Sequence, residues 1–261
     1  MARFLNWFTL RGGNGADFID AWSLGLYNND VVFYGKAGDD TLVGGNGRDY
    51  LAGHKGNDYV HGNYGDDTLY GNNGNDTLIG GEGSDSIFAG TGHDYVSGYE
   101  AVPQFDFIDM GAGNDRADIA GDFINLGRGN DAVTVHMMGG SHNTVYTGQG
   151  RDVVTAITLE DGQHASLYLG DLQPGDIVHV MRHDTTGYHE VSFASLDLNR
   201  DGVINIFDDP APSGVLLAGI DPNAPLQLSL DGDGREHSIL ITDPFGNGDS
   251  ISFAGSFDYL L

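Results

Sequence analysis

The chain of 261 residues contains no cysteine, so it can form neither a disulfide framework nor a thiolate metal site. Basic residues are scarce, with 11 Lys plus Arg against 38 Asp plus Glu and a formal net charge of −27. That balance argues against nucleic acid as a partner. No apolar run approaches the roughly 18 residues of a membrane span. The N-terminal stretch from Met1 to Leu10 is short, broken by Asn6 and without a small-residue cleavage site, so it does not read as a cleaved signal peptide. Hydrophobic residues still make up 39%, enough to build a core.

What the chain does have is 42 glycines and a fixed period. From Gly35 to Ser97 it reads in nines: GKAGDDTLV, GGNGRDYLA, GHKGNDYVH, GNYGDDTLY, GNNGNDTLI, GGEGSDSIF and AGTGHDYVS. An aspartate recurs at Asp40, Asp49, Asp58, Asp67, Asp76, Asp85 and Asp94. Each precedes by two residues an aliphatic side chain, at Leu42, Leu51, Val60, Leu69, Leu78, Ile87 and Val96. Such a period is the signature of a solenoid. The first six residues of a unit are turn chemistry, and alternation along the last three sends the aliphatic side chain inward. One strand this short is not stable alone, so the aliphatic rows must stack into a thin continuous core. The regular placing of so many acids points to cations as partners.

The nonapeptide resembles the RTX, or haemolysin-type calcium-binding, repeat, G-G-x-G-x-D followed by x, a large apolar residue and x. The resemblance implies an all-β, right-handed parallel β-roll or β-helix in which two nonapeptides make one 18-residue coil and calcium sits between stacked turns. It pairs Asp40 with Asp58, Asp49 with Asp67, Asp58 with Asp76, Asp67 with Asp85, and Asp76 with Asp94, for about five sites. Backbone carbonyls are implied to join each pair. For the first site these are Lys36, Gly38, Gly53 and Lys55, and for the second Gly45, Gly47, Gly62 and Tyr64. The third takes His54, Gly56, Gly71 and Asn73, the fourth Asn63, Gly65, Gly80 and Glu82, and the fifth Asn72, Gly74, Ala89 and Thr91. Such a set offers only oxygen, which suits Ca²⁺ and argues against zinc or copper.

Residues 1–34 carry imperfect units, such as Gly12 to Ile19 around Asp17, and are expected to form the irregular N-terminal coil. The regular repeats occupy 35–97. Over 98–155 the strand ends persist better than the glycine turns, so the solenoid is expected to continue with insertions that put its turns out of register and with fewer ions. Asn143 there replaces an acid, while Asp115 and Asp131, like Asp17, remain further candidate ligands. From Ala156 the repeat gives way to longer alternating strands separated by Pro-Gly, Asp-Gly and Asn-Gly. Residues 156–261 are therefore expected to form a C-terminal β-rich, sandwich-like capping domain. Within it, 197–208 resembles an EF-hand or dockerin-type calcium loop with Asp197, Asn199, Asp201, the Val203 carbonyl and a closing Asp208. The final Phe257-Asp258-Tyr259-Leu260-Leu261 resembles the uncleaved C-terminal signal of type I secretion.

These features lead us to expect a secreted or cell-surface bacterial protein, folded by calcium and acting as a binding or structural module, with the type I secretion machinery and a surface polysaccharide or matrix protein as partners. There is no His-Glu-x-x-His and no Gly-x-Ser-x-Gly motif. The enzymatic alternative is a β-helix lyase or epimerase acting on acidic polysaccharide, with Arg116, Arg128 and Arg151 beside Asp118 and His136. Tyr50, Tyr59, Tyr95, Phe107 and Phe123 follow turn aspartates and point outward, where rings either stack on sugars or serve as ordinary surface aromatics.

Overall fold

A unit that gives six of its nine residues to a turn must find its strand partners one full coil away. The computed structural model describes residues 8–98, 104–138, 141–159, 166–172, 176–184, 187–190, 203–205, 214–216, 228–229, 236–242 and 250–256. Its strands are numbered β1 to β24 along the chain, and β1 to β18 alternate between two sheets. Sheet one stacks β1 (Phe8–Arg11), β3 (Val31–Ala37), β5 (Tyr50–Lys55), β7 (Thr68–Asn73), β9 (Ser86–Thr91), β11 (Phe107–Ala112), β13 (Phe123–Asn125), β15 (His142–Tyr146) and β17 (Ser166–Leu172). Sheet two stacks β2 (Phe18–Asp20), β4 (Thr41–Val43), β6 (Tyr59–Tyr64), β8 (Thr77–Glu82), β10 (Tyr95–Gly98), β12 (Arg116–Ile119), β14 (Ala132–Met137), β16 (Val153–Leu159) and β18 (Ile177–Asp184). All these neighbours pair in parallel, and the coils wind as a right-handed β-solenoid.

No separate sandwich shows among the described strands of 156–261. β16, β17 and β18 carry on the same two sheets, with Val154 paired to Val133 and Val178 to Val154. β24 (Ser250–Ser256) pairs in parallel with β17, and β23 (Glu236–Thr242) pairs with β24 in antiparallel. β19 (Gly187–Glu190) and β22 (Leu228–Ser229) lie antiparallel on β18, and β20 (Val203–Asn205) pairs with β21 (Gly214–Leu216). The change of texture at Ala156 marks longer strands stacked on the same solenoid, because a parallel strand with both neighbours in place needs no glycine turn of fixed length.

Each coil sends one aliphatic residue per sheet to the interior. Leu42, Leu51, Val60, Leu69, Leu78, Ile87, Val96, Ile108 and Ile124 are all fully buried in one continuous cluster. The inward position two residues further on divides the solenoid. In the regular repeats it is Gly44, Gly53, Gly62, Gly71, Gly80 or Ala89. In later coils it is Met110, Ile119, Leu126, Val135, Thr147 or Ala156, again fully buried. The regular half therefore has about one core side chain per strand and the later half about two.

On the outer face of sheet one, aromatic rings follow one another from Tyr34 through Tyr50, Tyr70, Phe88, Phe107, Phe123 and Tyr146 to Tyr168, with centroids 4.9 to 6.1 Å apart. Each coil contributes one ring, in either of two columns, opposite small residues such as Ala52, Thr68 and Ser86. Cross-strand pairs of this kind contribute about 0.5–1.5 kcal/mol each beyond their buried area. The core is so thin that a single truncation within it is costly. Replacing Leu69 with Ala is expected to destabilise the protein in saturating calcium by about 2–5 kcal/mol in urea unfolding. The outward Thr68→Ala should stay within about 0.5 kcal/mol.

Candidate metal sites

The aspartates of the repeat form two columns, one along each edge of the solenoid. On the first, the backbone N–H of Asp17 donates to Oδ1 of Asp40 at 2.8 Å, and that of Asp40 to Oδ1 of Asp58 at 2.8 Å. The ladder runs on through Asp76, Asp94, Asp115, Asp131, Asp152 and Asp176. On the second edge it runs from the Val31 N–H through Asp49, Asp67, Asp85, Asp106 and Asp122, at 2.7 to 3.1 Å. It ends at Asn143, whose Oδ1 accepts the Gly121 N–H at 2.7 Å. Successive rungs are 18 residues apart in the regular repeats, then 21, 16, 21 and 24 on the first edge. The insertions after Ser97 thus leave the turns in register, contrary to expectation, because the loops absorb the extra residues while the Asp-to-backbone rung keeps its place.

The structure therefore puts Asp40, Asp49, Asp58, Asp67, Asp76, Asp85 and Asp94 where the repeat requires them, each at most 3% exposed. Asp17, Asp115 and Asp131 join the first column. Sequence reasoning did not single out Asp106, Asp122, Asp152 and Asp176 as site residues. The signal was present, since each stands two residues ahead of a buried aliphatic side chain, Ile108, Ile124, Val154 or Val178.

In nine of the rungs one oxygen is satisfied and the other is not. Oδ2 of Asp40, Asp58, Asp67, Asp76, Asp85, Asp94, Asp115, Asp131 and Asp152 is buried with no hydrogen-bond partner. On the second edge Asp49 Oδ2 accepts the Gly45 N–H at 2.7 Å, and Asp122 Oδ2 accepts that of Ala120 at 2.9 Å. Oδ2 of Asp40, Asp49, Asp67 and Asp76 lies against the α-carbon of Gly35, Gly44, Gly62 and Gly71, where a Cβ would overlap it. The carbonyl oxygens of Gly53, Gly62, Gly80 and Ala89, from the next coil, crowd those same four α-carbons. Carboxylate and carbonyl oxygens thus converge on one spot. That donor set fits a hard cation such as Ca²⁺.

The remaining carbonyls named from the sequence lie in the same turns. Those of Lys55, Asn73, Thr91 and Glu82 each accept an N–H from the preceding coil, at 2.8 to 3.0 Å. A carbonyl has two lone pairs, so one remains for an ion. Among the described residues no three or more His, Cys, Asp or Glu side chains cluster as a metal site, and backbone oxygen must supply most of any coordination. Val203 lies in β20, whereas Asp197, Asn199, Asp201 and Asp208 of the proposed loop, and the tail 257–261, fall outside the described residues.

A second ladder, not foreseen from the sequence, runs on the exposed side of the turns. The residue just before the buried aspartate accepts an N–H from the following coil: Asp39 from Asn57, Asn57 from Asn75, and Asn75 from His93, at 2.7 to 2.8 Å. It continues from His93 Nδ1 to Asn114, then Asn130 and Arg151. The inner ladder reaches back one coil and the outer ladder reaches forward one. Its trace in the sequence is the repeated Asp-Asp, Asn-Asp and His-Asp dipeptide.

The residues of the enzymatic alternative divide between a face and an edge. Arg116 and Asp118 on β12 and His136 on β14 lie on the outside of sheet two, with the Tyr95 hydroxyl donating to Asp118 Oδ2 at 2.8 Å. Burial pushes the His136 imidazole below its ordinary value, and the Asp118 charge opposes that. Arg128 and Arg151 belong instead to turns. Of the outward aromatics, Tyr50, Phe107 and Phe123 are part of the ring stack on sheet one. Phe107 and Phe123 lie face to face, 5.3 Å apart and 5° from parallel, so those faces cover each other and are closed to sugars. Tyr59 and Tyr95 stand on sheet two.

The sequence profile of the RTX calcium-binding nonapeptide repeat (4 copies) matches residues 9–23, 29–60 and 61–96. No curated protein and no solved structure matches the chain. Residues 9–96 are thus an RTX-type calcium-binding repeat region, with the Asp-rich turns and parallel β-solenoid described above.

Burial raises the carboxyl pKa at every rung for which a shift is resolved. Asp67 is pushed up to about 9, with the neighbouring Asp49, Asp85 and Asp66 adding to the effect, and Asp76 and Asp85 to about 7. Asp58 rises to about 6, while Asp106 and Asp131 rise to about 7. Backbone hydrogen bonds to Oδ1 oppose these shifts without cancelling them. A carboxyl that titrates higher folded than unfolded gives the folded state the more protons, so stability falls as pH rises between the two values. The metal-free protein should therefore keep more far-UV β signal at pH 5 than at pH 8, a difference that saturating Ca²⁺ removes. A metal-free β signal that grows from pH 5 to pH 8 would contradict the buried-carboxyl account.

Proposed function

We propose that the protein is a secreted calcium-binding module whose solenoid folds when it meets extracellular Ca²⁺, and that it serves as a binding or structural component at a surface or in a matrix. The observation that carries this is the set of nine buried, unpartnered Asp Oδ2 atoms in the two columns. Ionised and unpaired in the interior, such groups are strongly unfavourable. A divalent cation between successive rungs supplies the missing partner. Asp40 with Asp58, Asp58 with Asp76, Asp76 with Asp94, Asp49 with Asp67, and Asp67 with Asp85 would hold the ions, together with the carbonyls of their turns. The 197–208 loop would add one more oxygen site.

An extracellular-type site with Kd near 10⁻⁴ M contributes about 1.4 kcal/mol at roughly millimolar calcium, so five or six sites supply about 7–8.5 kcal/mol. That is comparable with the whole stability of a typical domain. At cytosolic calcium the uncompensated columns repel, which keeps the chain open enough to thread a secretion channel of the type I kind. The regular half, with glycine at its second inward position, is the part that calcium must hold together. The later half has a broader apolar core.

Far-UV circular dichroism of the chelated protein should show loss of β signal, recovered cooperatively on adding millimolar Ca²⁺. A spectrum indifferent to calcium would sink the proposal. Position 67 separates the two jobs of a rung. Asp67→Asn keeps an Oδ1 acceptor for the Asp49 N–H, as Asn143 does naturally, but removes the charge. It should raise the calcium midpoint severalfold and leave the calcium-saturated spectrum unchanged. Asp67→Ala removes both and should raise the midpoint further while lowering the calcium-saturated melting temperature.

A further inference from the structure

The chain contains two lysines, Lys36 and Lys55, against a net charge of −27, and both line one open cleft of about 320 Å³ with His54, Asn72 and Asn73. Strand register stacks Lys36 on His54 on Asn72, and Lys55 on Asn73, across three consecutive coils. Lys36, His54 and Asn72 have φ of 88°, 83° and 78°, left-handed conformations that non-glycine residues seldom adopt. The next coils fill the same column with Gly90 and Gly111, also at positive φ. Lys36 and His54 have thus been placed against backbone preference, a form of strain that concentrates at ligand sites, whereas asparagine tolerates the conformation, at Asn72 here and at Asn63 on sheet two with φ of 79°. Asn72 Nδ2 is buried with no hydrogen-bond partner. On one flank Tyr34 stacks on the His54 ring at 5.8 Å, and the Arg11 guanidinium lies 5.1 Å over Tyr34.

We propose that this cleft binds a saccharide carrying a carboxylate, such as a hexuronic-acid unit of an acidic glycan. The lysines lie on the first two coils and the carboxamides of Asn72 and Asn73 on the third, spanning roughly 10 Å at one strand spacing per coil. A simple inorganic anion would engage only the cationic end. The amide end offers donors and acceptors suited to hydroxyls, although Asn73 Oδ1 already accepts from Thr91 Oγ1 at 3.2 Å. The main-chain N–H groups of Gly38, Gly56 and Gly74 in these turns are bonded to the carbonyls of Lys55, Asn73 and Thr91. A peptide strand would find no free ladder to extend, so recognition falls to side chains, which favours a hydroxyl-bearing ring over an acidic peptide.

The proposal gives the binding module a ligand class and rests on that reading. It does not depend on calcium-driven folding, which circular dichroism of the same samples reports separately. The test is isothermal titration of the full chain at constant millimolar Ca²⁺ with a hexuronic-acid tetrasaccharide and with the same tetrasaccharide after carboxyl reduction. Binding of the acidic form, at least tenfold weaker for the reduced form and at least tenfold weaker in Lys36→Gln/Lys55→Gln whose calcium-saturated circular dichroism spectrum matches the wild type, supports the site. Lys36→Gly and His54→Gly install the residue the neighbouring coils use, so they should retain or raise the melting temperature while weakening saccharide binding. No binding by the folded protein, equal binding of the reduced form, or wild-type affinity in the lysine variant would overturn it. So would equally good competition by inorganic sulfate or by a polyglutamate peptide.

Discussion

A carboxylate buried at the same place in every coil is the constraint on which the structure depends. Its Oδ1 holds the backbone of the preceding coil, so it cannot simply swing out to water without releasing a rung. Its Oδ2 is left inside without a donor in nine turns. The group that aligns the coils is also the group that makes them repel. Either a proton or a cation must resolve that conflict, and the raised carboxyl pKa values and the convergent carbonyl oxygens are two expressions of it.

The interior is arranged around the same conflict. In the regular half Gly35, Gly44, Gly62 and Gly71 leave room for Oδ2 and for a carbonyl of the next coil, and the apolar core is correspondingly narrow. At the same place five residues before the aspartate, the later half has Met110 before Asp115 and Leu126 before Asp131, both fully buried. There hydrophobic burial takes over part of what the metal provides earlier, at about 25 cal/mol per Å² of apolar surface removed from water. The two halves share one topology and differ in what holds the coils together.

Register is maintained by side chains as much as by the strands. The buried aspartates reach back to the previous coil, and the exposed Asp39, Asn57, Asn75 and His93 receive N–H groups from the next. With each turn clasped from both sides, a coil can shrink to 16 residues or grow to 24 without disturbing the sheets. The same stacking brings residues one coil apart into contact on the surface, which is how both lysines come to share one cleft.

Much of this was legible in the sequence. The nine-residue period fixes the turn, the strand and the inward residue, because glycine, aspartate and asparagine tolerate such turns best and because side chains alternate along a strand. It therefore determined the parallel solenoid, the two columns from Asp40 to Asp94 and the oxygen-only character of the sites. It did not determine the fate of residues 156–184, since alternating apolar residues look alike in a sandwich and in a continued solenoid and only the pairing of Val154 with Val178 distinguishes them. Nor did it reveal Asp106, Asp122, Asp152 and Asp176 as rungs, because uneven insertions hide a period that strand register restores in space. Which oxygen of each aspartate is bonded and which is left over was decided by the tertiary structure alone, since the N–H that chooses it belongs to another coil.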